Sequence, residues 1–150
     1  MTEPGYRKPD LDLVGAEHVR RYLETDGEVG YEWNGAHILL LTTTGRRTGR
    51  KRTSALIFGR VGEDYLVVAS TGGMPKHPAW YLNLRADPNA EIQVKAERIP
   101  VVARTAEEPE RSELWRIATG YWPNYDAYQA RTERIIPVVV LSPRREGTIT

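Results

Sequence analysis

The spacing of apolar and polar residues along the chain separates helices from strands before any composition is considered. Leu11, Val14, His18, Val19, Tyr22 and Leu23 fall mostly on one helical face, which predicts a helix capped by Asp10 and running to about Glu24, where Asp26-Gly27 stops it. The preceding residues 1–9 are polar, with Pro4, Gly5 and Pro9, and are expected to form a loose arm. Residues 31–35 suit a short loop or edge strand. Ile38 to Leu41 is an apolar strand that runs through three threonines into a glycine-bounded turn, Gly45-Arg46-Arg47-Thr48-Gly49. Residues 54–60 and 64–70 have strand character on either side of a hairpin turn at Val61-Gly62-Glu63, and the second of them ends in Thr71-Gly72-Gly73.

Further along, residues 79–85 predict a short helix with Trp80 and Leu84, four apart, toward the core; Asp87-Pro88 terminates it. Residues 91–94 alternate polar and apolar, and residues 99–104 make another strand that Pro100 places near an edge. Residues 107–118 are amphipathic, with Leu114, Trp115 and Ala118 on the buried side. Residues 137–141 form a last, largely buried strand. About six strands follow one another through short turns with no βαβ unit. The expected class is mainly β with flanking α, an antiparallel barrel with helices at its sides. The chain divides into an arm and helix at 1–36, the barrel at 37–143 and a polar tail at 144–150.

Composition narrows the chemistry. With 150 residues, 40% hydrophobic and 27% charged, the chain suits one core. The lack of cysteine excludes disulfides, thiolate metal sites and a cysteine nucleophile. His18, His37 and His77 lack ligand spacing, so no metal is expected. Apolar runs are too short to span a bilayer, and residues 1–30 lack a signal-peptide core, which points to a cytoplasmic protein; peripheral membrane contact stays open. The formal net charge is only +1, yet Arg46, Arg47, Arg50, Lys51 and Arg52 put five cations into seven residues. Together with Thr48 and two glycines they outline an anion cradle. Its glycine order matches neither a Walker loop nor Gly-x-Gly-x-x-Gly. A solvated basic hairpin would carry the same charge pattern.

Residues 121–128 hold Tyr121, Trp122, Tyr125 and Tyr128. A helix there would align the three tyrosines on one face at i, i+4 and i+7. A core stripe has that spacing too, but buried phenols need hydrogen-bond partners, and the chain has eight tyrosines against one phenylalanine. The reading taken is an aromatic wall over a flat ligand, with a phenol available as hydrogen-bond or proton donor.

Residues 41–49, Val67-Val68-Ala69-Ser70 with Gly72-Gly73, Pro78 to Leu84 with Asp87-Pro88, and residues 122–128 together resemble the deazaflavin-dependent nitroreductase family, the actinobacterial flavin/deazaflavin oxidoreductases of class A. The resemblance spans roughly residues 37–143. It implies the split β-barrel of FMN-binding and pyridoxamine-phosphate-oxidase-like proteins, and coenzyme F-420, a deazaflavin with an oligoglutamate tail, in preference to FMN. Carried over by position, Arg46, Arg47, Thr48 and the nearby Arg50, Lys51 and Arg52 would hold the phosphate and tail. Ser54, Ala69, Ser70, Thr71, Gly72, Gly73 and Trp80 would line the cofactor groove. Tyr125 would be the substrate-side tyrosine, with Tyr121, Trp122 and Tyr128 around the acceptor. Thr71 stands where nitroreductase-type members often carry Lys, and Trp122 where they often carry Tyr. A quinone or coumarin-like enone is therefore as well supported as a nitro acceptor. Two other classes remain at this stage: a flavin- or deazaflavin-binding protein without turnover, and a barrel binding single-stranded nucleic acid, which the nearly balanced charge disfavours.

Overall fold

A computed structural model describes residues 6–144. In chain order these form α1 (Gly15–Thr25), β1 (Glu32–Trp33), β2 (Ala36–Thr44), β3 (Lys51–Val61), β4 (Asp64–Val68), α2 (Ala79–Ala86), β5 (Asn89–Val94), β6 (Glu97–Thr105), α3 (Glu110–Tyr121), α4 (Asn124–Ala130) and β7 (Val138–Pro143). Every pairing is antiparallel, and the strand order β2-β3-β4-β7-β6-β5 closes on itself where Leu40, Leu41 and Thr42 meet Gln93, Ile92 and Glu91. The mainly β, split-barrel class expected from the sequence is the one found. No helix among the described residues is long and apolar enough to cross a membrane.

Alternation decides what each strand face covers. Leu39, Leu41, Phe58, Val67, Ile92, Val139 and Leu141 fill the barrel. On the outside, Leu66, Val68, Val138 and Val140 lie beneath α3 and α4, while Ile38 and Leu40 lie beneath α1. Tyr22 anchors α1: fully buried, its hydroxyl donates to the Ile38 carbonyl at 3.0 Å and accepts from the Lys95 N–H at 2.8 Å. That one phenol joins the helix to both strands of the closing seam.

Several local expectations shift. The first helix begins at Gly15 after Val14, and Asp10 does not cap it; the Asp10 carboxylate accepts from the Asp12 N–H instead. The described part of the arm is tied down. Asn124 takes the Arg7 N–H and donates to the Arg7 carbonyl, and Asn34 does the same for Asp10. Residues 1–5 and 145–150 of the expected arm and tail lie outside the described residues.

Pro100 sits in a strand flanked on both sides, not at a sheet edge. It is tolerated because the last β6–β7 pair is Val101 with Pro143, so its missing N–H faces the point where β7 has ended. The aromatic segment is not one helix. α3 stops at Tyr121, and Pro123 begins α4, so the three tyrosines come from two helices.

Candidate functional site

A cavity of about 320 Å³ opens over the outer face of β3, between α1, β1 and α4. Ala55, Leu56 and Ile57 of β3 line it together with Val14, Gly15, His18 and Trp33 from the α1 and β1 region and Trp122, Tyr125 and Tyr128 around the start of α4. Ser70, Thr71, Gly72 and Trp80 make the remaining wall. Trp33 and Trp122 lie 5.7 Å apart at 32°, and the Trp33 indole donates to the Leu13 carbonyl at 2.7 Å, which fixes the ring. Tyr125 is 3% exposed, edge-on to both Tyr121 and Tyr128 at 6.4 and 6.2 Å. Burial, and after it the neighbouring Tyr121 and Tyr128, push its phenol well above the usual range, so it remains an O–H donor. His18 is buried; its Nε2 meets the Gly30 carbonyl at 2.8 Å and so carries a proton.

The wall at 69–77 is shaped by a residue far away in sequence. The Arg134 guanidinium donates to the carbonyls of Ala69 (3.2 Å), Ser70 (2.7 Å) and Met74 (2.8 Å), to Thr71 Oγ1 (2.8 Å) and to His77 Nδ1 (3.1 Å). Burial, then the charges of Arg134 and Arg85, lower the His77 pKa. Its ring is thus neutral near pH 7, with Nδ1 free to accept. Thr71 also donates to the Lys76 carbonyl at 2.9 Å and holds a left-handed φ of 43°.

The cationic turn has its own scaffold. Gly45 receives the Gly49 N–H on its carbonyl and gives its own N–H to Arg50, both at 2.8 Å, while Thr48 Oγ1 accepts from the Arg50 N–H at 3.1 Å. Asn83 of α2 binds the turn from below, accepting the Arg46 N–H and donating to Thr43 Oγ1. Arg46, Arg47, Arg50 and Arg52 are exposed, and none forms an ion pair among the described residues. Lys51 points elsewhere: its ammonium donates to Thr44 Oγ1 at 2.9 Å and borders a separate polar groove with Asp87, Glu91 and Arg144.

The chain matches the model of a family described as F420H(2)-dependent quinone reductase over residues 15–143. The chain belongs to that family. It is 44% identical over 131 residues to the F420H(2)-dependent quinone reductase Rv1261c of Mycobacterium tuberculosis, covering 85% of this chain and 88% of that one. A solved structure of an F420-H2 dependent reductase (FDR-A) is 40% identical with a TM-score of 0.66, covering 70% of this chain and 93% of that one. A Vibrio cholerae heme storage protein, HutZ, shares the fold alone at 19% identity and a TM-score of 0.53, covering 84% and 89%.

In this quinone reductase family member the cavity brings together Ser70, Thr71, Gly72, Trp80, Trp122, Tyr125 and Tyr128 from the residues singled out in the sequence. Ser54 is half-buried beside the lining residue Ala55. Ala69 is fully buried in the barrel core. Gly73 faces α4, where a Cβ would stand 2.5 Å from the Tyr128 carbonyl oxygen. Tyr121 lies outside the cavity lining, its ring over Gly59 of β3. Not foreseen were Val14 and His18, which the helical pattern assigned to packing, Trp33, which belongs to the short strand within the expected loop or edge strand at 31–35, and Arg134, which sits in an irregular segment without periodicity.

The Tyr121 hydroxyl is buried with no hydrogen-bond partner among the described residues, and burial raises its pKa from the ordinary 10.0. Tyr121→Phe is expected to stabilise the fold by about 1 kcal/mol, since it removes an unsatisfied polar atom and keeps the ring. The sign with pH follows from linkage. Above pH 10 the unfolded chain loses the phenol proton and the native one keeps it, so wild-type stability falls as pH rises further. Denaturant midpoints at pH 7 and pH 10.5 should show the advantage of Phe widening at the higher pH.

Proposed function

We propose that this protein carries a hydride from the reduced deazaflavin coenzyme F-420 to an electron-poor small molecule, with a quinone as the first candidate acceptor. The observation that carries the reading is the continuity of β3. It leaves the unpaired cationic turn at Lys51 and reaches the aromatic-walled cavity at Ala55, about 13 Å further on at strand rise. A long anionic tail and a flat ring need those two features at that kind of separation. When bound, the coenzyme supplies the hydride, and the protein supplies orientation and electrostatics.

Arg46, Arg47, Arg50 and Arg52 offer forked donors to phosphate and carboxylate groups. Thr48 stiffens the turn that presents them. Trp80 and the segment from Ser70 to Gly72 flank the ring, with Trp122, Tyr125 and Tyr128 on the acceptor side. The Tyr125 phenol hydrogen-bonds the oxygen that gains charge when a quinone or enone accepts the hydride. Nitro acceptors are less favoured, given Thr71 and Trp122 at positions where nitroreductase-type relatives often differ. FMN ends in a single phosphate and engages fewer of the cations.

Calorimetric titration tests this. F-420 is expected to bind more tightly than FMN, and added salt should weaken the binding. Arg47→Ala should raise the F-420 dissociation constant about tenfold, through loss of charge-assisted hydrogen bonds, while leaving the melting temperature nearly unchanged. Equal affinity for both cofactors without salt dependence would remove the reading.

A further inference from the structure

The Arg134 guanidinium contacts three carbonyls, one hydroxyl and one imidazole nitrogen, all of them neutral. It forms no ion pair among the described residues. A half-buried cation that spends its donors this way acts on the orientation of the segment it grips. Two of its acceptors, the Ala69 and Ser70 carbonyls, belong to the peptide units whose N–H groups are those of Ser70 and Thr71. Both peptide bonds are trans, so each N–H points opposite to its carbonyl and hence away from Arg134. Ser70 and Thr71 line the cavity, and Arg134 does not. Neither N–H has an acceptor among the hydrogen bonds of the described residues.

We infer that Arg134 is a positioning residue for this site: by gripping the Ala69 and Ser70 carbonyls, it presents the Ser70 and Thr71 N–H groups to the cavity as a fixed pair of donors for the carbonyl and amide edge of a bound flat ring. The inference rests on the functional reading above. The cation also polarises the two peptide units, which strengthens the N–H groups as donors, as hydrogen bonds in series do. Thr71 in a left-handed conformation fits the same account. That backbone is unfavourable for a threonine, and Arg134 and the Lys76 carbonyl hold it from both sides. Lysine would keep the charge but could not span five acceptors with one ammonium.

Wild type, Arg134→Lys and Arg134→Ala are compared by amide hydrogen exchange of the ligand-free protein and by F-420 titration. In both variants the Gly73 and Met74 amides, which donate to the Ser70 and Thr71 carbonyls, should exchange about tenfold faster, or more, while β4 and β7 amides stay protected, and the F-420 dissociation constant should rise about tenfold. Millimolar guanidinium should restore part of the affinity of Arg134→Ala and leave wild type unaffected, an effect that general destabilisation would not produce. Should Arg134→Ala fail to fold, Arg134→Lys carries the test. Wild-type affinity in Arg134→Lys, or unchanged exchange of the Gly73 and Met74 amides, overturns the assignment while the functional reading stands. Failure of the wild-type protein itself to bind F-420 overturns both.

Discussion

Gly73→Ala is expected to cost about 3–5 kcal/mol of stability and to abolish ligand binding in the cavity. Two penalties add. Gly73 has φ +83°, a region that an L side chain enters only with strain, and an ideal Cβ there would lie 2.5 Å from the Tyr128 carbonyl oxygen and 2.9 Å from its Cα. The obstruction is main chain, so no rotamer change relieves it. Either α4 moves off the loop or the loop moves off α4, and each carries cavity-lining residues, Tyr125 and Tyr128 on one side and Ser70 to Gly72 on the other. Gly72→Ala is the control. Its φ is +62°, but nothing lies within 4 Å of the added carbon, so only the backbone term of about 1 kcal/mol applies. Thermal melts of the two variants should differ severalfold in their loss. Comparable losses would mean that the contact with α4 is soft.

That contact shows where sequence reading reached its limit. Thr71-Gly72-Gly73 was recognisable as a place where backbone must approach something closely, because glycines after a strand imply it. What approaches Gly73 is the neighbouring helix, and nothing local in the sequence distinguishes that from a ligand. The barrel was legible because each hairpin is written in alternating side chains and short turns, as at Gly62-Glu63 between β3 and β4. Its closure was not, since the β2–β5 pairing depends on twist accumulated around six strands. The aromatic wall was legible in Trp122, Tyr125 and Tyr128, but the break at Pro123 removed Tyr121 from their face. Arg134 was invisible for a related reason: three of its five acceptors are main-chain carbonyls, and the other two are a neutral hydroxyl and a neutral imidazole, so no carboxylate marks its partner in the sequence.

Tyr125→Phe should lower turnover on the order of tenfold to a few hundredfold with a quinone acceptor, while F-420 affinity stays close to wild type. The ring and its edge-on contacts with Tyr121 and Tyr128 survive the change, so the loss isolates the hydroxyl. Because burial and the flanking phenols hold its pKa well above 10.0, the group is protonated throughout the neutral and mildly alkaline range. The ratio of wild-type to Phe turnover should therefore be flat with pH up to about 10. Tyr125→Ala should in addition raise the Michaelis constant of the acceptor, since it removes part of a cavity wall. Steady-state kinetics with a quinone and an enone decide the matter. Wild-type rates in Tyr125→Phe with both acceptors would leave the residue only a packing role.

The seam between Leu40–Thr42 and Glu91–Gln93 joins residues about fifty positions apart, and the walls of the cavity come from residues 14 to 128. Contacts of such separation form late, after the chain has met the entropy of closing long loops, and folding of this topology belongs to the millisecond-to-second range. The cavity thus has no partial precursor: β2, β3 and β4 can zip together early, but they enclose nothing until α4 has been made and docked. A ribosome-bound chain lacking its last quarter would possess the cationic turn without the aromatic wall. On the functional reading proposed above, capture of an anionic coenzyme at its tail would precede completion of the ring's enclosure.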